Sequence, residues 1–516
     1  MSYNIYNFKI LSVSIFIIFV FISLFIRLKY ISSVLTPNNI GHIYTITTIK
    51  SWDKNGGLKN YFVPIISYNN QGDKNITVYK RLTNKNGQNY FISFPPFSFI
   101  FAYIFHKIVF NINLNYLLTV LAILSHLLTT LLILLTLNKL YPITNSIENV
   151  LSNISSAFII LFSAPFLFHS LSWFPEIAVL PIWSWFIYFT TMIKTQLRVK
   201  KINFILGFII SFLLCYTDWL GYLVILSFYI YVFFINKNKI LSKICFYCLL
   251  GSFTALLLTI IQYSQIDGSQ SFIKALSIRF IERSGLFTTQ LTDKGLNWYN
   301  INTWVLALKR FSQLVSGVGY LAVFLIIIGF LYKTTRITKY SVIVFLLFVS
   351  FLPVLLHFAL LLNANVIHAG SWAKLYIPLS LGSAWSINIF YNKFDENFEK
   401  KYILTGLTAG IILSILVSSA HFKRIMSNYT DEKVLKEQAL FIKSHTKNTQ
   451  AVFIKEDDAT ITNYLPYIEF ITERNIGTAN NYCEVLQKMK VAKQKEAVFF
   501  QLKTNKYQIL KIDSLY

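Results

Sequence analysis

The chain has 516 residues, of which 55% are hydrophobic, 17% aromatic and only 13% charged, and its mean hydropathy is +0.53. That balance excludes a soluble globule, because apolar runs of about 16 to 23 residues recur and are long enough, as helices, to cross a bilayer core of roughly 30 Å. The formal net charge of +25 points to cytoplasmic loops under the positive-inside rule and not to nucleic acid, and four cysteines make no extracellular disulfide framework.

The first apolar run, Ile10 to Ile26, is not followed by a small-residue cleavage site and reads as an uncleaved first helix. Residues 29–96 are polar by comparison and form a large first outer loop. Within it, "TPNNIGHIYTITTIKSWDKNGG" has Asn38 or Asn39 as a helix cap, Ile43, Ile46, Ile49 and Trp52 at three-residue spacing, and Asn55-Gly56-Gly57 as a stop. A short amphipathic helix lying on the membrane surface is expected. Farther on, "VYKRLTNKNGQNYFISF" places an Asn-Gly turn between two strand-like runs, a β-hairpin that returns the chain to the bilayer. Pro95 and Pro96 then start the next helix, since proline lacks the amide hydrogen that a first helical turn leaves unused and its φ is already near helical.

Spans are expected at about 10–27, 97–112, 115–137, 151–172, 176–193, 202–217, 219–235, 244–262, 318–332, 340–362, 373–391 and 402–420, an all-α polytopic membrane protein of about 11–13 transmembrane helices. Basic clusters mark the cytoplasmic gaps: Lys194, Arg198, Lys200 and Lys201; Lys237, Lys239 and Lys243; Lys333, Arg336 and Lys339; Lys393, Lys400 and Lys401. The gaps near Asp218 and from Asn363 to Trp372, the loop of about 263–316, and the tail after His421 then face outward. A cytoplasmic N-terminus and an outer tail require an odd number of crossings. Twelve spans break that parity, and the stretch 97–137, whose linker Asn111 to Asn115 has no basic residue, is where the count is expected to change. Cys245 and Cys248 form a CxxC inside an apolar helix, where residues three apart share a packing face.

The tail, 422–516, alternates helix-like runs ("DEKVLKEQALFIKSH", "LPYIEFITER", "EVLQKMK") with strand-like ones ("AVFI", "EAVFF", "YQILKI"), and reads as a small extracytoplasmic α/β domain following the transmembrane domain 1–421.

"HIYTITTIKSWDKNGG" followed by "YFISFPPFSFIFAY", backed by "HSLSWFPEIAVLPIW", resembles the C-type (GT-C) membrane glycosyltransferases, among them the protein O-mannosyltransferases and the lipid A aminoarabinose transferases. The resemblance is strongest over about the first 200 residues and architectural beyond. It implies transfer of a sugar from a polyprenyl-phosphate carrier to a glycan, lipid or protein acceptor at the outer face of a plasma (inner) membrane. Its partners would be that lipid-linked donor and membrane lipids, with no nucleic acid, and a divalent cation is left open as cofactor. The family usually carries an acid at the start of the first-loop helix, where this chain reads Asn38-Asn39-Ile40-Gly41-His42.

Glycosyl transfer passes through an oxocarbenium-like state, so an acceptor hydroxyl must lose its proton while cations steady a departing phosphate. Four residues are candidates for the proton step: His42 and Asp53 on the first-loop helix, Glu176 at the outer start of a membrane helix, and Asp218 at an outer turn. Four more are candidates for the donor phosphate: Arg279 and Arg283, four apart beside the apolar stripe Phe272, Leu276 and Phe280, and His368 and Lys374 in "NANVIHAGSWAKLYIPL". Against these stand ordinary roles: a solvated polar residue, a turn acid, a helix-start acid favoured by the dipole, a cap, an Arg279–Glu282 pair, and a lysine that snorkels to the interface. No His/Cys/Asp cluster has metal-ligand spacing. The competing functional readings are a lipid or solute transporter, which predicts internal repeats, and a non-catalytic envelope assembly protein.

Overall fold

The computed structural model describes residues 2–29, 39–68, 70–76, 82–109, 112–141, 147–163, 167, 169, 171–195, 199–286, 297–331, 337–391, 409–418, 420, 432–456 and 464–512. The basic residues Arg198, Lys333, Arg336, Lys393, Lys400 and Lys401, and the first part of the expected span 402–420, lie outside them. The described residues are mostly helical, with short strands concentrated near the C-terminus. Among the described residues four helices are long and apolar enough to cross a membrane: Leu114–Leu140, Pro175–Thr195, Lys239–Asp267 and Ser341–Leu360. A bent pair, Ile301–Gln313 and Gly317–Leu331, makes up to five, and six further apolar helices have 10–17 residues. The expected 11–13 crossings are therefore not reproduced by length and composition among the described residues. Breaks account for part of the difference: the run expected over 151–172 is helical as Ile147–Phe162, and the one over 97–112 ends at Ile108.

The chain forms two compact units. The first comprises Met1–Ser32, Thr119–Leu257 and Phe280–Met426. Its centre is the Tyr376–Tyr391 helix, packed between Ile147–Phe162 and Ile301–Leu331. Polar side chains inside this bundle bond to one another, because no water is there to satisfy them: Asn388 donates to Asn149 Oδ1 at 2.8 Å, and Ser156 meets Ser380. The Ser341–Leu360 span contains Pro353, which has no amide to offer the carbonyl four residues earlier. The chain widens into a π-helical turn over Leu347–Phe351, and Trp183 Nε1 donates to Val349 O at 3.1 Å, taking the place of the missing bond.

The second unit comprises Ser33–Leu118, Leu258–Arg279 and Ser427–Tyr516. In its tail, strands β3 (Ala451–Lys455), β4 (Ile476–Ala479), β5 (Glu496–Gln501) and β6 (Lys506–Lys511) lie in the order β4-β3-β5-β6. The β3–β4 and β3–β5 pairings are parallel, and β6 runs antiparallel at the edge. Helices cover both faces, so β3 and β5 read as nearly unbroken apolar runs. One face packs on the Glu432–Ser444 and Leu465–Thr472 helices, the other on Tyr482–Ala492.

The first loop is built into that same unit. Its helix, Ile40–Asn55, starts after Asn39 and stops at Gly56, whose φ of +83° suits glycine. The stripe Ile43, Ile46, Ile49 and Trp52 is buried, but in protein: Ile43 joins the tail core of Leu435, Ile468 and Ile476, and Trp52 packs against Phe62 and Tyr103. This corrects the expectation that the apolar face lies on lipid. A three-residue spacing reports that a face is covered and not by what. The hairpin is a short antiparallel pair, β1 (Leu82–Thr83) with β2 (Asn89–Tyr90). Pro96 stands at the N-terminal boundary of the Phe97–Ile108 helix, and Tyr263 Oη lies 2.9 Å from Phe91 O and 3.0 Å from Phe94 O, carbonyls beside the proline pair.

Candidate functional site

The strongest concentration of chemistry lies in the first unit, where two helix junctions and one short 3-10 segment meet. The Lys201–Thr217 helix stops at Asp218, whose backbone is extended while its Oδ1 accepts the amide of Leu220 at 2.8 Å. The carboxylate thus caps the helix Leu220–Ile230. Its other oxygen, Oδ2, accepts Lys374 Nζ at 2.8 Å, and both side chains are fully buried. Burial pushes the Asp218 carboxyl up, but Lys374, His357 and the Leu220 amide outweigh it and hold the group below the usual carboxylate range.

Lys374 belongs to the 3-10 segment Ala369–Leu375, and its Nζ also lies 3.2 Å from His357 Nε2. His357 is buried on the Leu352–Leu360 helix. Asn365 donates to His357 O at 3.0 Å, Trp372 Nε1 donates to Asn365 O at 2.8 Å, and the Trp372 ring meets Phe358 edge to face at 4.7 Å. The backbone carrying Lys374 is therefore held at Trp372, two residues before the lysine.

Glu176 begins the Pro175–Thr195 helix, with Pro175 in the position where a missing amide costs nothing. Its Oε1 accepts Ser371 Oγ at 2.8 Å. A Cβ placed on Gly370 would stand 2.6 Å from Glu176 Oε2 and 3.5 Å from His169 Cε1, so the bare glycine backbone is what lets the carboxylate and the imidazole approach this strand of chain. Lys374, Asp218 and Arg283 all act on Glu176 through space. The cluster has a buried floor, Asp218, Lys374 and His357, and half-buried members, Glu176, His169 and Arg283.

Four of the eight residues expected from the sequence come together here: Glu176, Asp218, Lys374 and Arg283. Lys374, expected at a donor phosphate, is paired here with an internal carboxylate, Asp218. Of the other four, three belong to the second unit. His42, in the second unit, is buried with Nε2 2.8 Å from Asn115 Oδ1. Asp53, in the same unit, pairs with His106 and Lys107, and Arg279 Nε donates to Ser93 Oγ at 3.2 Å. Phe272 of the stripe beside it is buried against Tyr263, where a lipid contact was expected. His368 is exposed at the end of the Leu362–Ile367 helix. His357, His169, Gly370 and Ser371 were not anticipated. His357 had a signal, an imidazole within "LPVLLHFALLL", since an ionisable group inside a membrane run is a functional candidate by default.

Among the described residues no group of three or more His, Cys, Asp and Glu is placed to hold a metal ion. With Asp218 engaged by Lys374, the cluster does not present the paired free carboxylates that a hard divalent cation favours.

The fold is that of the C-type membrane glycosyltransferases. In its apo form the oligosaccharyltransferase of Archaeoglobus fulgidus is similar at a TM-score of 0.61 and 14% identity, over 94% of this chain and 69% of that one. The same archaeal enzyme, AglB, in complex with an inhibitory peptide and a dolichol-phosphate is similar at 0.52 and 14%, over 95% and 69%. ArnT of Cupriavidus metallidurans in the apo state is similar at 0.53 and 9%, over 96% and 93%. No family model matches the sequence, and no curated protein matches it.

Proposed function

We propose that this chain is a membrane glycosyltransferase that moves a sugar from a polyprenyl-phosphate donor to an acceptor hydroxyl or amide at the outer face of the membrane. One observation carries the reading: on a C-type glycosyltransferase fold, a half-buried carboxylate held by a serine, Glu176 on Ser371, interacts through space with the buried Asp218–Lys374 ion pair. The dolichol-phosphate held by AglB supports the donor class by likeness of fold. In this reading the N-terminus is cytoplasmic, the tail 422–516 is extracytoplasmic, and the protein resides in the plasma membrane.

Glu176 takes the proton of the acceptor as the acceptor atom bonds to the anomeric carbon. The bond from that carbon to the phosphate oxygen breaks, and Arg283 steadies the departing anion. Ser371 orients Glu176. Lys374, neutralised by Asp218, fixes the segment that carries Ser371. His42 and Asp53 have no part in the proton step, being engaged by Asn115 and by His106 and Lys107.

The test is transfer of radiolabelled sugar from a panel of polyprenyl-phosphate hexoses and pentoses to extracted envelope acceptors by the full chain in nanodiscs. Glu176→Gln should lower the rate on the order of 10²-fold or more. Equal rates for Glu176→Gln and the unaltered chain would remove Glu176 from the chemistry; no transfer from any donor of the panel would remove the enzyme reading.

A further inference from the structure

The long outer loop expected over 263–316 ends in a helix. Ile301–Leu331 is helical throughout, yet its two halves, Ile301–Gln313 and Gly317–Leu331, are bent by 102°. The bend falls between Gln313 and Gly317, and a Ser-Gly pair such as Ser316-Gly317 is the kind of sequence at which helices kink.

The second half is anchored in the bundle. Tyr376 Oη donates to Val315 O at 3.0 Å, Ser383 Oγ donates to Ala322 O at 3.2 Å, and Val318, Ala322 and Leu325 are buried. Tyr320, Phe324, Ile327 and Phe330 form its exposed belt. With that half crossing the bilayer, a bend near a right angle lays Ile301–Gln313 in the plane of the membrane.

The sequence of this first half fits an interface on three sides. At about 100° per residue, Ile301, Val305 and Leu308 fall in one narrow stripe, with Asn302, Lys309 and Gln313 along one edge. The stripe is bare: Ile301 is 71% exposed, Val305 56% and Leu308 67%. The flank opposite that polar edge is packed. Trp304 and Ala307 lie against Leu362 and Val366, and the Phe311 ring is 5.8 Å from Trp372, two residues before Lys374. Lys309 is exposed at the edge of the stripe, and Arg310 is exposed on the side of the helix away from it.

We propose that Ile301–Gln313 is an in-plane helix that docks on the anionic surface of the bilayer. Ile301, Val305 and Leu308 enter the outermost acyl region, and Lys309 at the stripe's edge takes a phospholipid headgroup phosphate. An apolar stripe edged by a cation is the pattern that binds such a surface, since the cation adds its own attraction to anionic lipid. The helix clamps the lipid surface to Trp372 and so to the segment bearing Ser371 and Lys374. The proposal holds whether or not the chain transfers sugar.

The test uses the full chain in nanodiscs, with the exposed Cys483 changed to Ser and a bimane label on Leu308→Cys, an exposed position whose change leaves the packed face intact. Phosphatidylcholines brominated near the top of the acyl chain should quench the label at least about twofold more than those brominated at the chain end. A label unquenched by either, or captured by cross-linking to a second copy, overturns the proposal, as does strongest quenching from the chain ends. The headgroup contacts are read from energy transfer to fluorescent phosphatidylglycerol. Lys309→Gln should weaken its binding about fivefold while Arg310→Gln, on the far side of the helix, should not, and unchanged binding in the Lys309 variant removes that lysine as a phosphate contact.

Discussion

Lys374 and Asp218 form an ion pair of 2.8 Å in which both side chains are fully withdrawn from solvent. Two charges are costly to bury singly and tolerable together, so what matters energetically is the loss of one partner. Asp218→Asn leaves the ammonium uncompensated, and Lys374→Met leaves the carboxylate so; each should destabilise the first unit by about 3–5 kcal/mol. The combined variant Asp218→Asn/Lys374→Met should recover most of that loss. Reversible unfolding in mixed micelles measures all three, and a combined variant no more stable than the single ones would show that the pair is not the organising contact.

Gly370 offers a change that separates the carboxylate's position from the fold. A methyl group there meets Glu176 Oε2 at 2.6 Å, the mobile end of a side chain, so Gly370→Ala should fold with little loss while displacing the carboxylate from Ser371. Misplacement by about 1 Å costs up to ~10²-fold in rate. Gly370→Ala should fall toward that figure, and Ser371→Ala should show a smaller loss. Sugar transfer together with thermal unfolding checks this, and a variant that unfolds early without losing specific activity would contradict it.

Glu176, Asp218 and Lys374 were legible because each is an ionisable residue at the end of an apolar run, and a charge there must be paired or used. Their convergence was not legible. Asp218 and Lys374 are 156 residues apart, and no local pattern says that the two turns share a floor. The same limit hid the partnership of first loop and tail: the periodicity marked Ile43 as apolar, but its neighbours Leu435 and Ile468 come from the far end of the chain. The Ile301–Gln313 helix was read as loop because Lys309 and Arg310 interrupt its hydropathy, although its stripe of Ile301, Val305 and Leu308 was there to be seen.

The joint core of loop and tail hangs on a close backbone approach. Gly72 donates its amide to Asn448 O at 2.9 Å, and a Cβ at this position would stand 2.0 Å from Gln450 O. That neighbour is backbone and cannot swing aside. Beside it, Arg474 Nε donates to Asp73 Oδ1 at 2.9 Å, and the same guanidinium donates to the carbonyls of Lys447 and Gln450. Gly72→Ala should therefore cost about 1–3 kcal/mol, and Arg474→Met about 3–5 kcal/mol by leaving Asp73 buried alone. Both should speed hydrogen exchange in β3 and in Ile40–Asn55 together. Exchange that rises in β3 alone would mean that the two do not share stability.

His42 makes that same unit sensitive to acid. Its imidazole is fully buried, and burial lowers its pKa to about 4 from an ordinary 6.5, with the Asn115 contact opposing the shift. With an amide oxygen facing Nε2, the neutral ring donates there and the tautomer is set. Because the folded pKa is depressed, the unfolded chain takes up the proton first. The contribution to stability is full above pH 6.5, declines as pH falls through 6.5 toward 4, and levels off below, a loss of up to about 3 kcal/mol. Asp73, whose pKa burial raises even against Arg474, works in the opposite sense over part of this range, so the decisive quantity is the difference between the unaltered chain and His42→Gln. Hydrogen exchange of the Ile40–Asn55 amides, corrected for intrinsic rates and followed from pH 7 to pH 4, should lose protection faster in the unaltered chain than in the Gln variant. Parallel curves would place His42 outside the acid response and leave it to the carboxylates.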